Sequence, residues 1–371
     1  MFGILVTCIL LLTLLLNTYF KDCKPLADRK KHYILLYTPF FGEKQWINYL
    51  EGTVSHPTAP KRGQLCSTGY CESTYNKSLF STARAVVFHA RDMPDLAELE
   101  VLHAVRPAFQ LWCYFNMENP LYSRDTSLIS KFFNVTMSCN QESEMFLPYA
   151  SFEKLEPNDI RPLPNTNFAK GKTKMAAWVV SNCDISHRNQ LVKLLQEEGI
   201  KVSVAGKCSE DWGWESTFNC KGHGSNNNFV KELRHFKFYL ALENAICQDY
   251  ITQKYYLNSL KNNLIPIVLG GAVYSDPRLA LPGSYINVQD YASIEQLANH
   301  IKAVASNEAL YNSYFRWRYE YKITLYNWFE HFADQLCSFI WEGTRLHTNI
   351  SAIYSRNKCF EKDRQYLLIP E

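Results

Sequence analysis

No Asp-x-Asp pattern occurs anywhere in the 371 residues, so the chain lacks the usual carboxylate pair for a metal that carries a diphosphate. If it handles such a group, cations and helix N-termini must do the holding. Cys-x-x-Cys is also missing, which argues against a structural zinc site. Neither sign of charge dominates: 39 Lys+Arg stand against 36 Asp+Glu, a net charge of +3. That balance gives no sign of a nucleic-acid binder. A small anionic substrate needs only a local basic site, which the total would not show. The apolar start "MFGILVTCILLLTLLLNTYF" lacks the basic n-region and the Ala-x-Ala site of a cleaved signal peptide.

That start reads as an uncleaved signal-anchor over residues 1–20. Lys21, Lys24, Arg29, Lys30 and Lys31 follow the run and argue for the opposite orientation. Two other features argue for a lumenal body. Only Cys8 of the 12 cysteines lies in the apolar run, and eleven are many for a reduced compartment. Three glycosylation sequons begin at Asn76, Asn134 and Asn349. The spacings Cys66–Cys71, Cys208–Cys220 and Cys337–Cys359 are those of disulfide clips, although connectivity cannot be read from sequence, and an odd count leaves one thiol over.

After a stem over 21–32, strands and helices alternate. "HYILLYTPFF", "ARAVVFHA" and "FQLWCYFNM" read as buried strands, Lys44–Leu50 as a short helix, and "DMPDLAELEVLHAV" as a helix with Pro94 near its first turn. Residues 52–78 read as loop. A domain over 33–149 is followed by a proline-bearing linker over 150–173 and a second domain over 174–310. In the second, "KMAAWVVS", "IKVSVAG", "FKFYLALEN" and "LIPIVLG" alternate with helices, one capped by Ser186 and one by Asp249. The tail, 311–371, reads as helical and aromatic, with "NEALYNSYFRWRYEYKITLYNWFEHF" as a long aromatic helix that could lie back across the first domain. Such alternation implies parallel sheets covered by helices: an α/β protein of two Rossmann-like domains with a cleft between them.

Ligands of open parallel sheets bind beyond the carboxyl ends of the strands. Lys254 follows the strand that ends at Glu243-Asn244, in the first turn of a helix, where it could hold a diphosphate. Arg188 follows the preceding domain strand in the same way and could grip phosphate with two donors. For each, the plain alternative is a solvated helix cation. Glu118 stands just past an apolar strand and could be a general base, or an ordinary loop glutamate. His89 ends another strand, and its plain alternative is a packed core histidine.

"FKFYLALENAICQDYITQKYYLNSLKNNLIPIVLGG" resembles the signature of the alpha-1,3/1,4-fucosyltransferases of glycosyltransferase family 10. "FHARD", "RPAFQLWCYFNMENP", "NVTMSCNQESEMFLPY", "VVSNC" with Arg188, and "YFRWR" match the family too, so the likeness covers about 33–335. The resemblance implies the GT-B arrangement behind an N-terminal membrane anchor, in a type II protein of the Golgi membrane. It implies inverting transfer of fucose from GDP-fucose to N-acetylglucosamine in a glycan. It places Glu118 as the base, Arg188 and Lys254 on the diphosphate, Tyr239, Glu243, Asn244 and Gln253 around the donor, and His89, Gln110 and Trp112 in the acceptor region. No cofactor is required, although family members are often stimulated by Mn2+. The implied partners are GDP-fucose, the glycan acceptor and the Golgi membrane, with a homodimer open and no nucleic acid.

Departures from the family pattern accompany the likeness. Gln253 stands where the family has a glutamate against the donor fucose. Asn140 replaces an arginine, Glu142 and Glu144 replace aspartates, and Asn119 replaces a serine. They leave open a weakened member that binds glycan or GDP-fucose without turnover. A transferase of the same architecture using another nucleotide sugar is a third reading.

Overall fold

The computed structural model describes residues 30–42, 46, 69–156, 166–211, 227–325, 328–343 and 348–360. The expected anchor (1–20), residues 21–29 of the expected stem, the expected helix Lys44–Leu50 apart from Trp46, residues 51–68, and Cys8, Cys23, Cys66 and Cys220 lie outside them, and Lys30–His32 of the expected stem open a strand instead. Among the described residues no helix is long and apolar enough to cross a membrane.

The first sheet holds β1 (Lys30–Leu36), β2 (Gly69–Thr74), β3 (Ala85–His89), β4 (Leu111–Asn116), β5 (Val135–Ser138) and β6 (Met145–Phe146). Its order is β2-β1-β3-β4-β5-β6 and every pairing is parallel. β3 is buried along its whole length, as the continuous apolar run "AVVFH" requires of a strand covered on both faces. Helix α1 (Leu96–Ala104) is capped by Asp95, which accepts from the Glu98 N–H at 2.8 Å and leaves Pro94 just outside. β2 lies inside the stretch expected to be loop.

Next come β7 (Ala150–Lys154), β8 (Lys174–Val179), α2 (Ser186–Glu197), β9 (Val202–Ala205), α3 (Asn227–Leu233) and β10 (Phe236–Leu242). A π-helix over Lys254–Ser259 leads to β11 (Ile265–Leu269), β12 (Ile286–Asn287) and α4 (Ile294–Ser306). The second sheet is ordered β12-β11-β10-β8-β9, again all parallel. Leu191 and Leu195 of α2 and Leu297 and Ile301 of α4 pack on one face, Leu233, Tyr255 and Tyr256 on the other. The chain moves outward from β8 to β9 and then returns to β10 on the opposite side of β8. The topological switch point, where doubly wound sheets bind ligands, is therefore the crevice beyond β8 and β10.

Two expectations change. The aromatic stretch is no single helix. It breaks into a short helix Glu308–Ser313, a 3-10 turn Arg316–Tyr319 and strand β13 (Tyr321–Leu325), before α5 (Trp328–Glu342). Burial alternates along Tyr321–Thr324, the period of a strand rather than a helix. β13 pairs antiparallel with β7, so the expected linker begins as half of a two-stranded ribbon. α5 does return to the first domain: Cys337 is bonded to Cys71 of β2, and the Phe332 ring lies 5.5 Å from that of Phe115.

The expected disulfide clips are also corrected. Among the described residues the bonds are Cys71–Cys337, Cys183–Cys208 and Cys247–Cys359, spanning 266, 25 and 112 residues. The fold, not chain proximity, brings these sulfurs together. Cys113 and Cys139 are free thiols buried in the first domain, where burial pushes both up in pKa.

Candidate active site

The carboxyl end of β4 carries Glu118. Asn116 Oδ1 accepts from its backbone N–H at 2.9 Å, fixing the turn. Asn119 then caps the 3-10 turn Pro120–Tyr122, accepting from the Leu121 N–H at 3.1 Å and the Tyr122 N–H at 3.3 Å. Asparagine keeps the capping ability of the serine it replaces. Its amide does more, donating to Asn244 Oδ1 at 3.1 Å beyond β10. Tyr122 faces the second sheet as well, its hydroxyl accepting from Asn182 Nδ2 at 3.0 Å. Two side-chain bonds thus tie the ends of β4, β8 and β10 together.

Glu118 is half-buried, and Tyr250 donates its hydroxyl to Glu118 Oε2 at 3.3 Å. Burial raises the Glu118 pKa, partly offset by the Lys254 ammonium and the Tyr250 hydroxyl. A carboxylate so placed is a stronger base than one in water.

Glu243 follows β10 and is almost fully buried. It accepts from the Thr252 N–H at 2.8 Å and from Thr252 Oγ1 at 2.9 Å, and pairs with Lys254 Nζ at 2.6 Å. Lys254 is thus tethered rather than a solvated helix lysine, and Thr252 Oγ1 accepts from it again at 3.0 Å. The helix it opens is a π-helix, a form that collects at functional sites. The expected cap is not Asp249, which has φ +60° and accepts from Gln141 at 3.2 and 3.3 Å. The loop can lie this close because of Gly270 and Gly271. A Cβ on Gly271 would stand 2.8 Å from the Cys247 backbone.

Arg188, in the first turn of α2, is only 3 % exposed. It donates through Nη2 to the Asn182 carbonyl, while Nε is buried with no partner among the described residues. Burial lowers its pKa, opposed by nearby Glu243. Beside it, His187 Nε2 lies 3.3 Å from the Glu243 carbonyl, and burial pulls its pKa down to about 4. Tyr239 sits midway along β10, its hydroxyl accepting from Asn258 Nδ2 at 2.9 Å. Gln253 is exposed at the start of the π-helix.

The structure therefore gathers Glu118, Arg188, Glu243, Asn244 and Lys254. It packs Gln110 and Trp112 elsewhere, and buries His89 at the carboxyl end of β3, paired with Phe115 of β4. Gln110 lies before the amino end of β4, donating to the Phe80 and Ala83 carbonyls and accepting from Trp112 Nε1 at 2.7 Å. Trp112 is in the core. His89 is 1 % exposed, 2.6 Å from Asp92 Oδ2 and ringed by Phe40, Phe41 and Trp46. Of the sequon asparagines, Asn76 and Asn349 are exposed helix caps, while the Asn134 oxygen accepts from the Trp112 N–H at 3.0 Å. Sequence reasoning missed Tyr250, Thr252, His187, Tyr122 and Asn182. All but Tyr122 sit inside or beside segments already singled out for their cations, and only the folded contacts reveal their partners. Among the described residues no group of three or more His, Cys, Asp or Glu side chains is placed to hold a metal ion.

Comparison with known proteins agrees in kind. Residues 169–356 match the model described as glycosyltransferase family 10 (fucosyltransferase) C-term, and 29–150 match that described as fucosyltransferase, N-terminal. The chain is 32% identical over 276 residues to the Bos taurus 3-galactosyl-N-acetylglucosaminide 4-alpha-L-fucosyltransferase FUT3, covering 74% of this chain and 70% of that one. It is 31% identical over 293 residues to the Homo sapiens 4-galactosyl-N-acetylglucosaminide 3-alpha-L-fucosyltransferase 9, covering 78% and 74%. A crystal structure of an alpha1,3-fucosyltransferase with GDP aligns over 80% of this chain and 86% of its own, at 15% identity and a TM-score of 0.49, too distant a likeness to argue from.

Proposed function

The chain belongs to glycosyltransferase family 10, the fucosyltransferases, and from that premise we propose that it moves fucose, with inversion, from GDP-fucose to an N-acetylglucosamine hydroxyl of a glycoprotein or glycolipid glycan. One observation carries the reading: Glu118, at the carboxyl end of β4, lies near the Lys254 ammonium and is tied through Asn119 to Asn244 beyond β10, where Lys254 and buried Arg188 both lie close to Glu243.

Glu118 takes the proton from the acceptor hydroxyl as it attacks the anomeric carbon. Charge builds on the departing diphosphate, which the tethered Lys254 ammonium and the spare donors of buried Arg188 neutralise. Both groups are held before substrate arrives, so little reorganisation is left for the transition state. Glu243 fixes Lys254, and Asn244 with Asn119 fixes the spacing between the two halves. The two sheets support the GT-B arrangement, and the curated relatives support a galactosyl-N-acetylglucosamine acceptor. Three disulfides support an oxidising compartment, consistent with a type II Golgi protein anchored by residues 1–20.

The test is consumption of nucleotide sugars in competition. The proposal expects GDP-fucose alone to be used, with fucose appearing on N-acetylglucosamine. Use of another nucleotide sugar in preference overturns the donor assignment. Binding of GDP-fucose without transfer to any acceptor would instead favour the weakened-member reading that Gln253 raises.

A further inference from the structure

A second cavity, of about 290 Å³, lies between the β7–β13 ribbon and the far end of the π-helix. Its walls include Trp317, Arg318, Tyr321, Lys322, Tyr256 and Lys261, and none of Glu118, Arg188 or Lys254. Lys254 opens the π-helix and Lys261 follows its end, so the two sites are separated by about 10 Å of helix.

The chemistry of this cavity is one-sided. Three of its eight lining residues are cationic and none is acidic. Arg318 is held in place, donating to the Leu260 carbonyl and to Asn263 Oδ1, each at 2.6 Å, with its guanidinium 4.3 Å over the Trp317 ring. Arg318 Nε and Trp317 Nε1 are nevertheless buried donors with no partner among the described residues. Neither atom is accessible from the cavity, so the charge and the rings of the lining, not these two donors, point to a ligand. The Tyr256 hydroxyl is already committed to the Leu279 carbonyl at 2.7 Å. Lys261 and Lys322 are exposed and add charge at the rim. Aromatic walls suit the C–H face of a sugar ring better than a bare ion, and the volume suits a single sugar rather than a chain.

We propose that this cavity binds an acidic sugar, a monosaccharide unit bearing a sulfate or carboxylate, at a site separate from the Glu118 crevice. Binding needs no turnover, so it stands apart from the transfer reading.

The test is calorimetric titration of the full-length chain in detergent, saturated with GDP. The probes are N-acetylglucosamine-6-sulfate, N-acetylneuraminic acid, N-acetylglucosamine and inorganic sulfate. The expected result is binding of both acidic sugars, at least tenfold tighter than the neutral sugar or sulfate alone. Lys261→Glu with Lys322→Glu, both at exposed positions, should weaken that binding at least tenfold while leaving the far-ultraviolet dichroism unchanged. Arg318→Lys should weaken it too, since one ammonium cannot copy the fixed guanidinium. Equal binding of N-acetylglucosamine, equal binding of inorganic sulfate, binding of the acidic sugars only when GDP is left out, or indifference to the charge reversals would each overturn the proposal.

Discussion

Replacing Lys254 with methionine tests how the site holds its cation. Lys254 Nζ and Glu243 Oε2 are 2.6 Å apart, and the side chains are 17% and 1% exposed. At that distance the attraction is about 6 kcal/mol gross for an effective dielectric of about 20. Taking both charges out of water offsets much of it, but Lys254→Met leaves Glu243 buried without its partner. Breaking one side of such a pair costs about 3–5 kcal/mol. Glu243→Gln added to Lys254→Met removes the stranded charge, and its amide oxygen can still accept from Thr252. The double variant should recover stability to within about 1.5 kcal/mol of the natural chain. It should not recover transfer, which stays about a hundredfold down for want of the ammonium. Urea unfolding of the disulfide-intact protein, followed by tryptophan fluorescence, gives the stabilities; labelled-fucose transfer gives the rates. A cost under about 1 kcal/mol for Lys254→Met, or no recovery in the double variant, refutes the tether. Recovery of full transfer in the double variant refutes the role of the charge.

Other expectations follow from the same contacts. Glu118 acts as a base only when ionised, and its pKa is raised. The rate should therefore fall as pH drops through a midpoint above the ordinary carboxylate range, read from the acidic limb of kcat/KM; Tyr250→Phe removes a bond that lowers this pKa and should move the limb upward. Gln253→Glu should raise transfer, by up to about a hundredfold if the restored charge contributes a few kcal/mol; a fall in rate would count against the donor-side placement of Gln253. Cys359→Ser opens the 112-residue bridge to Cys247 and should lower stability by about 4–5 kcal/mol in the chain-entropy account, seen as an earlier urea midpoint.

Much of this architecture is written in local sequence. β4, β8 and β10 are largely apolar runs, because parallel strands are covered on both faces, and their ends led directly to Glu118, Arg188, Glu243 and Lys254. What stayed hidden depends on distant partners. β2 is a polar edge strand, and β7 and β13 make a ribbon only because residues 150–154 and 321–325 meet. The disulfides join sulfurs that spacing alone would not pair. Lys254 read as a free phosphate ligand, and only the fold shows Glu243 beside it. The family resemblance places Gln110 and Trp112 in the acceptor region, and the fold sets them at the amino end of β4, the opposite end from Glu118.

The most direct test of the account is Glu118→Gln, with transfer rate and GDP affinity measured on the same preparation. The substitution keeps the shape and removes the base. The account predicts transfer lower by about 10²–10⁴-fold, the usual contribution of one positioned base, with GDP affinity nearly unchanged because Arg188 and Lys254 are untouched. Transfer within a few fold of the natural chain would contradict the assignment of Glu118, and with it the crevice between the two sheets as the place of chemistry.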